Sequence, residues 1–391
     1  MKKNVVLNLL ALLCMSSQVN AENWMSRLPD DAYVAVVSIP GAHDAATGCG
    51  WDEDSEELGD NFAKTQDLDL KALWSAGVRA FDFRPCVYEE YMNLNHGIVP
   101  TKMHFEDALS MLRDSLTANP SEFAVIHLLH ERDGDRIEDV YNTRLLELLR
   151  RDDLKDYFVD FKTDLKVSEI RGKMLILSRD NYSTNPVGGV FKNWTGEVNW
   201  AKQTAGRIVG PRAATGFLYM QDFSDTHAAG ALDTKIAAIN RMLDFSTTHE
   251  TTTKSTIRWI LNFASAYSKV MNLFGTAIST SEGYRDNACH THTAFLNYFS
   301  THEAGPTGIV LMDFAGVDTS EGYEVKGRQL VQAIIENNFK YLQGTPSALV
   351  PMHDTPSSHS FYSLAGTLSP APHKGLNIAR QTDGAVRKII Y

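Results

Sequence analysis

The sequence predicts an α/β fold in which parallel strands close into a (β/α) barrel. Short apolar runs recur along the 391 residues, and each is continuously rather than alternately hydrophobic, as strands buried on both faces are. Helical patterns fall between several of these runs, and the strand count and chain length suit a barrel better than an open sheet. The predicted strands cover residues 33–37, 75–83, 122–129, 173–178, 216–221, 258–263 and 308–313.

Helical periodicity supports the alternation of strand and helix. Ala108, Leu109, Leu112 and Leu116 recur at intervals that place them on one stripe of a helix over residues 105–117. Comparable patterns predict further helices over residues 137–149, 233–245 and 327–341, the last of which follows the final predicted strand.

The first residues have the pattern of an export signal. Lys2 and Lys3 precede an apolar run at residues 5–15, and Val-Asn-Ala at residues 19–21 offers a cleavage site. We therefore expect residues 1–21 to be a signal peptide and the protein to be secreted or periplasmic. No later run reaches the roughly 18 apolar residues that span a bilayer, which predicts a mature protein that is soluble or at most peripheral to a membrane.

Composition predicts one large domain and a distinct C-terminal segment. Residues 22–344 contain no linker, which indicates a single barrel domain. Residues 345–391 are rich in Pro, Ser, Gly and Thr and predict a mobile tail or a small accessory segment. The net charge of -11 argues against broad nucleic-acid binding but leaves room for a locally basic site for a polyanion. We expect a monomer.

The cysteines leave two readings open. Cys49 and Cys86 follow the first two predicted strands, so in an exported protein they could form a disulfide and leave Cys289 free. Three reduced thiols are the alternative. Cys289, His290 and His292 are spaced like a fragment of a zinc site, but no fourth ligand stands out and we expect no metal there.

Two histidines and an arginine stand where strands end. Ser-Ile-Pro-Gly-Ala-His-Asp at residues 38–44 presents His43 and Asp44 directly after a strand and a Pro-Gly turn. The second predicted strand leads to Arg84, and His96 follows before a glycine. A base, an acid and a cation for the phosphate suit phosphodiester cleavage. Further polar residues end later strands, as catalytic residues of parallel barrels do, namely Asp82, Glu131, Arg179, Asp180, Asp222 and Asp313.

These motifs resemble the X domain of bacterial phosphatidylinositol-specific phospholipase C. The resemblance rests on residues 38–44 and 77–84 and on His96-Gly97, and it extends to residues 177–181 and 310–313. It covers roughly residues 30–340 and implies a distorted TIM-type barrel that is open between strands. It also implies attack of the inositol 2-hydroxyl on phosphorus, which releases diacylglycerol and inositol 1,2-cyclic phosphate.

The resemblance also implies catalytic roles. His43 would be the general base with Asp313 behind its ring, and His96 would be the general acid with Asp44 as its partner. Arg84 would bind the phosphate oxygens. Asp82 would orient the catalytic groups, with a structural carboxylate that holds Arg79 or Arg84 as the alternative.

Headgroup recognition is expected from a second group of residues. Arg179 and Asp222 match strand ends where the family binds inositol hydroxyls. His130 and the residue before it stand where bacterial members carry a lysine, so we expect His130 to contact substrate. Ser224 stands in place of an aromatic platform. Because of these departures, a different headgroup or a glycosylated inositol lipid stays open as the substrate.

No metal or cofactor is expected. The eukaryotic relatives hold calcium with carboxylates in the region where this chain has Arg84, whose fixed charge would repel a cation. Asp44, Asp82 and Asp313 could supply oxygen ligands, so chelation is the test. Two alternatives stay open, a metal-dependent glycerophosphodiester-type phosphodiesterase and a non-catalytic barrel that binds lipid or sugar phosphate.

Two segments bear on membrane contact. Residues 270–275 include Val, Met, Leu and Phe and could dip into a bilayer, although a core helix is an equal alternative. Acidic residues crowd positions 52–57, which should repel anionic lipid. We therefore expect transient contact with a neutral membrane surface.

Overall fold

The computed structural model describes most of the chain. The predicted signal peptide lies almost entirely outside the described residues, and so do positions 272–275 of the predicted membrane loop. The described residues are 21–194, 205–248, 256–271, 277–342, 360–362, 368–369, 376–380 and 386–390.

The strands and helices alternate through most of the chain, as predicted. The strands are β1 (Ile39–Ala42), β2 (Ala80–Phe83), β3 (Pro85–Val87), β4 (Met92–His96), β5 (Val99–His104), β6 (Ala124–Leu128), β7 (Met174–Ser178), β8 (Gly189–Lys192), β9 (Ala205–Val209), β10 (Thr215–Gln221), β11 (Arg258–Phe263), β12 (Lys269–Met271), β13 (Ala277–Ser279), β14 (Ile309–Met312), β15 (Ser360–Tyr362), β16 (Leu368–Ser369), β17 (Leu376–Arg380) and β18 (Val386–Ile390). The helices are α1 (Glu56–Phe62), α2 (Leu70–Ala76), α3 (Phe105–Ala118), α4 (Tyr141–Leu149), α5 (Val167–Ile170), α6 (Ala231–Thr247), α7 (Ser281–Thr301) and α8 (Gly327–Tyr341).

The predicted barrel is confirmed. The strands close into a ring in the order β1-β14-β11-β10-β9-β8-β7-β6-β2. All neighbours are parallel except β9, which runs antiparallel to both β8 and β10. The opening implied by the family resemblance is therefore wrong for this chain, because β8 and β9 fill the ring. Sequence reasoning missed both β8 and β9. The residues of β9 alternate between exposed and buried, whereas continuous apolar runs predicted the other seven strands of the ring.

The first predicted strand was misplaced by a few residues. The apolar run at residues 33–37 contains a short 3-10 helix (Val34–Val36), and β1 starts after it. Gly41 explains how β1 fits between its neighbours. A Cβ atom there would lie 2.7 Å from Leu311 Cδ2 and 2.8 Å from Ala80 Cβ. Only glycine permits this close approach of β1 to β2 and β14.

The remaining features concern the core, the thiols and the C-terminal segment. Helices α2, α3 and α8 bury their apolar stripes against the barrel in one continuous hydrophobic core.

Cys49, Cys86 and Cys289 are free thiols, so the structure has the second of the two cysteine arrangements. Within the described ranges, no helix combines the length and hydrophobicity of a membrane span. Residues 346–391 form a separate compact unit, in which β16, β15, β17 and β18 pair as an antiparallel sheet.

Candidate active site

The carboxyl ends of β1, β2 and β14 bring the predicted catalytic side chains together. The His43 N–H donates to the Met312 carbonyl at 2.9 Å, which extends the pairing of β1 with β14 to the catalytic residues. Asp44 then adopts a left-handed backbone with φ of 44°, a strained conformation for a residue with a side chain. This turn brings the buried Asp44 carboxylate next to three residues that line the cavity, His43, Arg84 and His96. Strain at this point is typical of functional sites.

His43 is oriented from behind by Asp313. Its Nδ1 lies 2.8 Å from Asp313 Oδ1. Because an ionised carboxylate only accepts hydrogen bonds, Nδ1 carries the proton and Nε2 faces the cavity. Gln66 supports this arrangement by donating to the backbone carbonyls of His43 at 2.8 Å and Met312 at 2.9 Å. Sequence reasoning missed Gln66, which lies in a loop with no motif around it.

Arg84 lies among three carboxylates and the base. Its Nη2 donates to His43 Nε2 at 2.8 Å and to Asp82 Oδ2 at 3.0 Å. Its Nε forms an ion pair with Asp44 Oδ1 at 2.9 Å, and its Nη1 lies 3.7 Å from Glu131 Oε2. The guanidinium is thus held in one orientation at the edge of the cavity, where a phosphate could contact it.

His96 faces the same carboxylate from the other side. Its Nδ1 donates to the Ala63 carbonyl at 2.6 Å, which turns Nε2 towards Asp44 Oδ2 at 3.6 Å. Nε2 of His43 lies 3.3 Å from that same Asp44 oxygen. The hydroxyl of Tyr284 lies 3.4 Å from His96 Nε2. The two predicted imidazoles therefore converge on one point, and Tyr284, which no sequence pattern marked, adds a phenol beside them.

The two imidazoles have opposite pKa shifts. Burial alone would lower the pKa of His43, but the charges of Asp44 and Asp313 outweigh it and hold that pKa above the usual 6.5. Burial dominates at His96 and lowers its pKa below 6.5 despite the attraction of Asp44. In the free protein the proton on His96 is therefore lost before the proton on His43.

A cavity of about 710 Å³ opens above these groups. It is lined by His43, Arg84, His96, Arg179, Asp222 and Tyr284, among others. The two predicted headgroup residues are thus brought to the catalytic groups. Trp194 holds them together, because its ring lies 4.1 Å from the Arg179 guanidinium and its Nε1 donates to Asp222 Oδ2 at 3.0 Å. Sequence reasoning missed Trp194, which follows β8 outside the predicted strands.

Curated relatives act on phosphatidylinositol. No family model matches the sequence. The chain is 23% identical over 328 residues to the 1-phosphatidylinositol phosphodiesterase of Staphylococcus aureus strain Newman, and the match covers 81% of this chain and 94% of that protein. It is 29% identical over 179 residues to the enzyme of that name from Listeria monocytogenes, across 44% of this chain and about half (53%) of that protein. The predicted resemblance to bacterial phosphatidylinositol-specific phospholipase C is confirmed.

Solved structures of these bacterial phospholipases C share the fold. A pentafluoro-phenylalanine form of the Staphylococcus aureus enzyme superposes with a TM-score of 0.65 at 20% identity and covers 81% of this chain and 98% of its own. The Listeria monocytogenes enzyme superposes with a TM-score of 0.58 at 24% identity, over 82% of this chain and 99% of its own. At these identities the likeness supports the barrel and not the individual residues.

His130 does not reach the cavity, so its predicted contact with substrate is corrected. Its Nε2 lies 2.7 Å from Asp135 Oδ2, and its ring stacks on Tyr141 with the centroids 3.6 Å apart. The side chain is therefore held by Asp135 and Tyr141 and is not among the residues that line the cavity. Ser224, by contrast, lines the cavity.

The cluster beside Arg84 does not suit a cation. His43, Asp44 and Asp82 offer ligand atoms within 4.8 Å of one another, the arrangement that a metal ion would need. However, Arg84 Nη2 already lies 2.8 Å from the nitrogen of His43 and 3.0 Å from an oxygen of Asp82. A guanidinium in this position supplies positive charge and repels a second cation. The chemistry of the donor set therefore supports phosphate binding rather than metal binding.

Proposed function

We propose that this protein cleaves phosphatidylinositol, or a related inositol phospholipid, to diacylglycerol and inositol 1,2-cyclic phosphate. It would thus act as a phosphorus–oxygen lyase of the phospholipase C type. The observation that carries the proposal is the convergence of His43, Arg84 and His96 around Asp44, within the cavity that also contains Arg179 and Asp222. The names of the bacterial relatives agree with it.

The first half of the reaction forms the ring. His43 Nε2 takes the proton of the inositol 2-hydroxyl while that oxygen forms a bond to phosphorus. Asp313 stabilises the resulting imidazolium through its hydrogen bond to Nδ1 at 2.8 Å. Arg84 donates to the non-bridging oxygens, where negative charge develops in the transition state.

The second half releases the lipid. The bond between phosphorus and the glycerol oxygen breaks, and His96 Nε2 gives its proton to that oxygen. Asp44 favours the protonated form of His96, and so does the negative charge of the bound phosphodiester. Because burial lowers the pKa of free His96, the substrate charge supplies part of the driving force that keeps the acid protonated. Water can then open the cyclic phosphate, with His96 acting as the base and His43 as the acid.

Arg179 and Asp222 are proposed to bind the headgroup and to select it. One offers donors and the other acceptors, and Trp194 fixes both side chains from below. A pair of this kind can hydrogen-bond neighbouring hydroxyls of an inositol ring. Ser224 stands in place of the aromatic residue expected from the family, so we propose weaker selectivity for the headgroup.

An apolar rim supports transient membrane contact. Ile98 is 68% exposed, Leu58 43% and Val270 48%, and the first two line the catalytic cavity. Such side chains at the mouth of a lipid-cleaving site are suited to the interfacial region of a bilayer. The acidic residues at positions 52–57, close to Leu58, oppose contact with anionic lipid. We propose that the protein binds neutral surfaces weakly, acts as a monomer, and is exported to the periplasm or secreted.

The rim is tested by Ile98→Ser. Loss of one exposed apolar side chain, worth about 1 kcal/mol of burial, should lower activity on phosphatidylinositol in phosphatidylcholine vesicles by roughly threefold to tenfold. Hydrolysis of soluble inositol 1,2-cyclic phosphate should not change. Phe217→Ser is the control, because Phe217 is 41% exposed but does not line the cavity. Equal losses on both substrates would argue against a membrane role for Ile98.

The pH dependence of kcat/KM is expected to be bell-shaped. The productive form has neutral His43 and protonated His96, while the pKa of His43 is raised above 6.5 and that of His96 is lowered below it. Activity should therefore fall below the pKa of His96, where His43 is fully protonated, and above the pKa of His43, where neither ring carries a proton. Imidazole NMR titration of the free protein measures the order. Loss of the His43 proton before the His96 proton would contradict it.

The function is tested by following the phosphorus. The mature protein is incubated with phosphatidylinositol in EDTA, and the products are followed by phosphorus NMR. The expected product is inositol 1,2-cyclic phosphate, formed at an unchanged rate when EDTA is present. Activity that disappears with EDTA would favour the metal-dependent phosphodiesterase, and headgroup binding without turnover would favour the non-catalytic barrel.

A further inference from the structure

A buried histidine in the wall of the barrel contacts the carboxylate of Asp82. His127 lies in β6 and is only 3% exposed. Its Nδ1 is 2.6 Å from Asp82 Oδ1, so the ring donates to the carboxylate. The predicted catalytic mechanism assigns no role to this side chain. The apolar run around it predicts only a strand.

The second ring nitrogen of His127, Nε2, is buried without a hydrogen-bond partner among the described residues. The ring lies instead among Phe191, Trp194 and Phe263, with centroids 5.9, 5.6 and 6.0 Å away. A buried nitrogen without a partner destabilises a fold, and an apolar side chain of similar size would avoid that cost. The benefit of a histidine at this position must therefore come from its bond to Asp82.

Asp82 connects His127 to Arg84, the arginine proposed to bind the phosphate. Its second oxygen, Oδ2, accepts from Arg84 Nη2 at 3.0 Å and from the Asp44 backbone N–H at 3.2 Å. A carboxylate held at both oxygens cannot rotate. Arg84 and His127 also outweigh the effect of burial on Asp82 and keep its pKa well below the usual value, so its charge persists.

We propose that His127 is a positioning residue for the phosphodiester reaction. Its Nδ1–H fixes the Asp82 carboxylate, which in turn sets the direction of the Arg84 guanidinium towards the phosphate. The kinetic test of this inference rests on the proposed function. A second test, the binding of inorganic phosphate, does not depend on that function. His127 itself contacts no substrate, because it does not line the cavity.

The test compares three replacements at His127 that differ in where they place a donor. His127→Asn puts an amide N–H near the place of Nδ1, His127→Gln puts one near the place of Nε2, and His127→Met has no donor. We expect the Met and Gln variants to lose about tenfold to a hundredfold in kcat, the scale of a misplaced catalytic group. Their KM should rise by no more than about tenfold, which is the loss of phosphate affinity expected from a displaced Arg84. The Asn variant should recover to within about fivefold of wild type.

His292 provides a matched control. It is fully buried, its Nδ1 donates to the Val325 carbonyl, and its Nε2 has no hydrogen-bond partner among the described residues. It lies in α7 and does not line the cavity. His292→Met should lower Tm about as much as His127→Met does, while kcat stays within twofold of wild type.

A double variant tests whether His127 acts through Arg84. If it does, adding His127→Met to Arg84→Met should lower kcat less than twofold further. The proposal is overturned if His127→Met keeps kcat within twofold of wild type, if Gln restores activity as well as Asn, or if the loss is the same with and without Arg84.

Binding of inorganic phosphate separates this proposal from the proposed function. Titration calorimetry should show about tenfold weaker phosphate binding for His127→Met and near-normal binding for His127→Asn. If the wild-type protein binds phosphate but does not cleave phosphatidylinositol, the proposed function fails while the role of His127 stands on these affinities. Unchanged affinity in His127→Met would overturn the role of His127 whatever the activity.

Discussion

Replacing His43 or His96 with alanine is expected to lower kcat at least about a hundredfold, the usual contribution of a positioned acid or base. His43→Ala removes the group that takes the hydroxyl proton, and Asp313 cannot replace it because its oxygen lies behind the ring, 2.8 Å from Nδ1. His96→Ala leaves the glycerol oxygen to depart without a proton. Steady-state hydrolysis of phosphatidylinositol in mixed micelles measures both losses.

A double variant and a control at a third histidine, His130, test this prediction further. His43→Ala combined with His96→Ala should fall short of the product of the two single losses, because groups that act as a unit are not additive. His130→Ala is the matched control, since that ring pairs with Asp135 and stacks on Tyr141 outside the cavity. It should retain turnover within about threefold of wild type. Near-normal turnover in either catalytic variant would rule out the role assigned to it.

Replacing Arg84 with methionine is expected to lower kcat by roughly a hundredfold to a thousandfold, the range seen when one donor to a developing oxyanion is lost. The guanidinium is the cation nearest to the base, and it contacts His43, Asp44 and Asp82 at 2.8 to 3.0 Å. Its loss removes the stabilising charge and leaves two buried carboxylates without their partner. The effect should fall mainly on kcat, because the charge develops in the transition state.

Lysine and a remote arginine serve as comparisons for Arg84. Arg84→Lys keeps a positive charge but loses the planar fork of donors, so its activity should lie between those of wild type and Arg84→Met. Arg258→Met is the control for loss of an arginine that packs on Tyr219 and Phe245 and does not line the cavity. Full activity in Arg84→Lys would mean that charge alone suffices. A change in KM alone for Arg84→Met would argue that Arg84 binds substrate without stabilising the transition state.

The catalytic groups could be predicted from sequence because their signals are local. His43 and Asp44 directly follow β1, and Asp82 and Arg84 stand at the end of β2, so their placement needed only the rule that parallel strands end at one rim. The predicted turn at Pro40-Gly41 was wrong, because both residues lie within β1. Gln66 and Tyr284 had no such signal. Tyr284 approaches His96 from α7, 188 residues later in the chain. Contacts of this kind depend on how a helix packs, which no short pattern records.

The errors also have physical causes. The apolar and partly β-branched residues 33–37 predict a strand, but Val34–Val36 form a 3-10 helix and β1 begins at Ile39. The place of His130 after a strand predicts a contact with substrate, but its ring is bonded to Asp135 in the following loop and stacks on Tyr141 at the start of α4. A position after a strand therefore does not show which way a side chain turns.

The contact between Arg84 Nη2 and His43 Nε2 at 2.8 Å has a consequence for selectivity. This hydrogen bond occupies the lone pair of Nε2 that must accept the hydroxyl proton. His43 therefore cannot act as a base while Arg84 donates to it. A phosphodiester competes for the guanidinium and uncovers that nitrogen, whereas a neutral polyol or a water molecule does not. Deprotonation is thereby made conditional on the arrival of phosphate, and free inositol would enter the cavity without being activated.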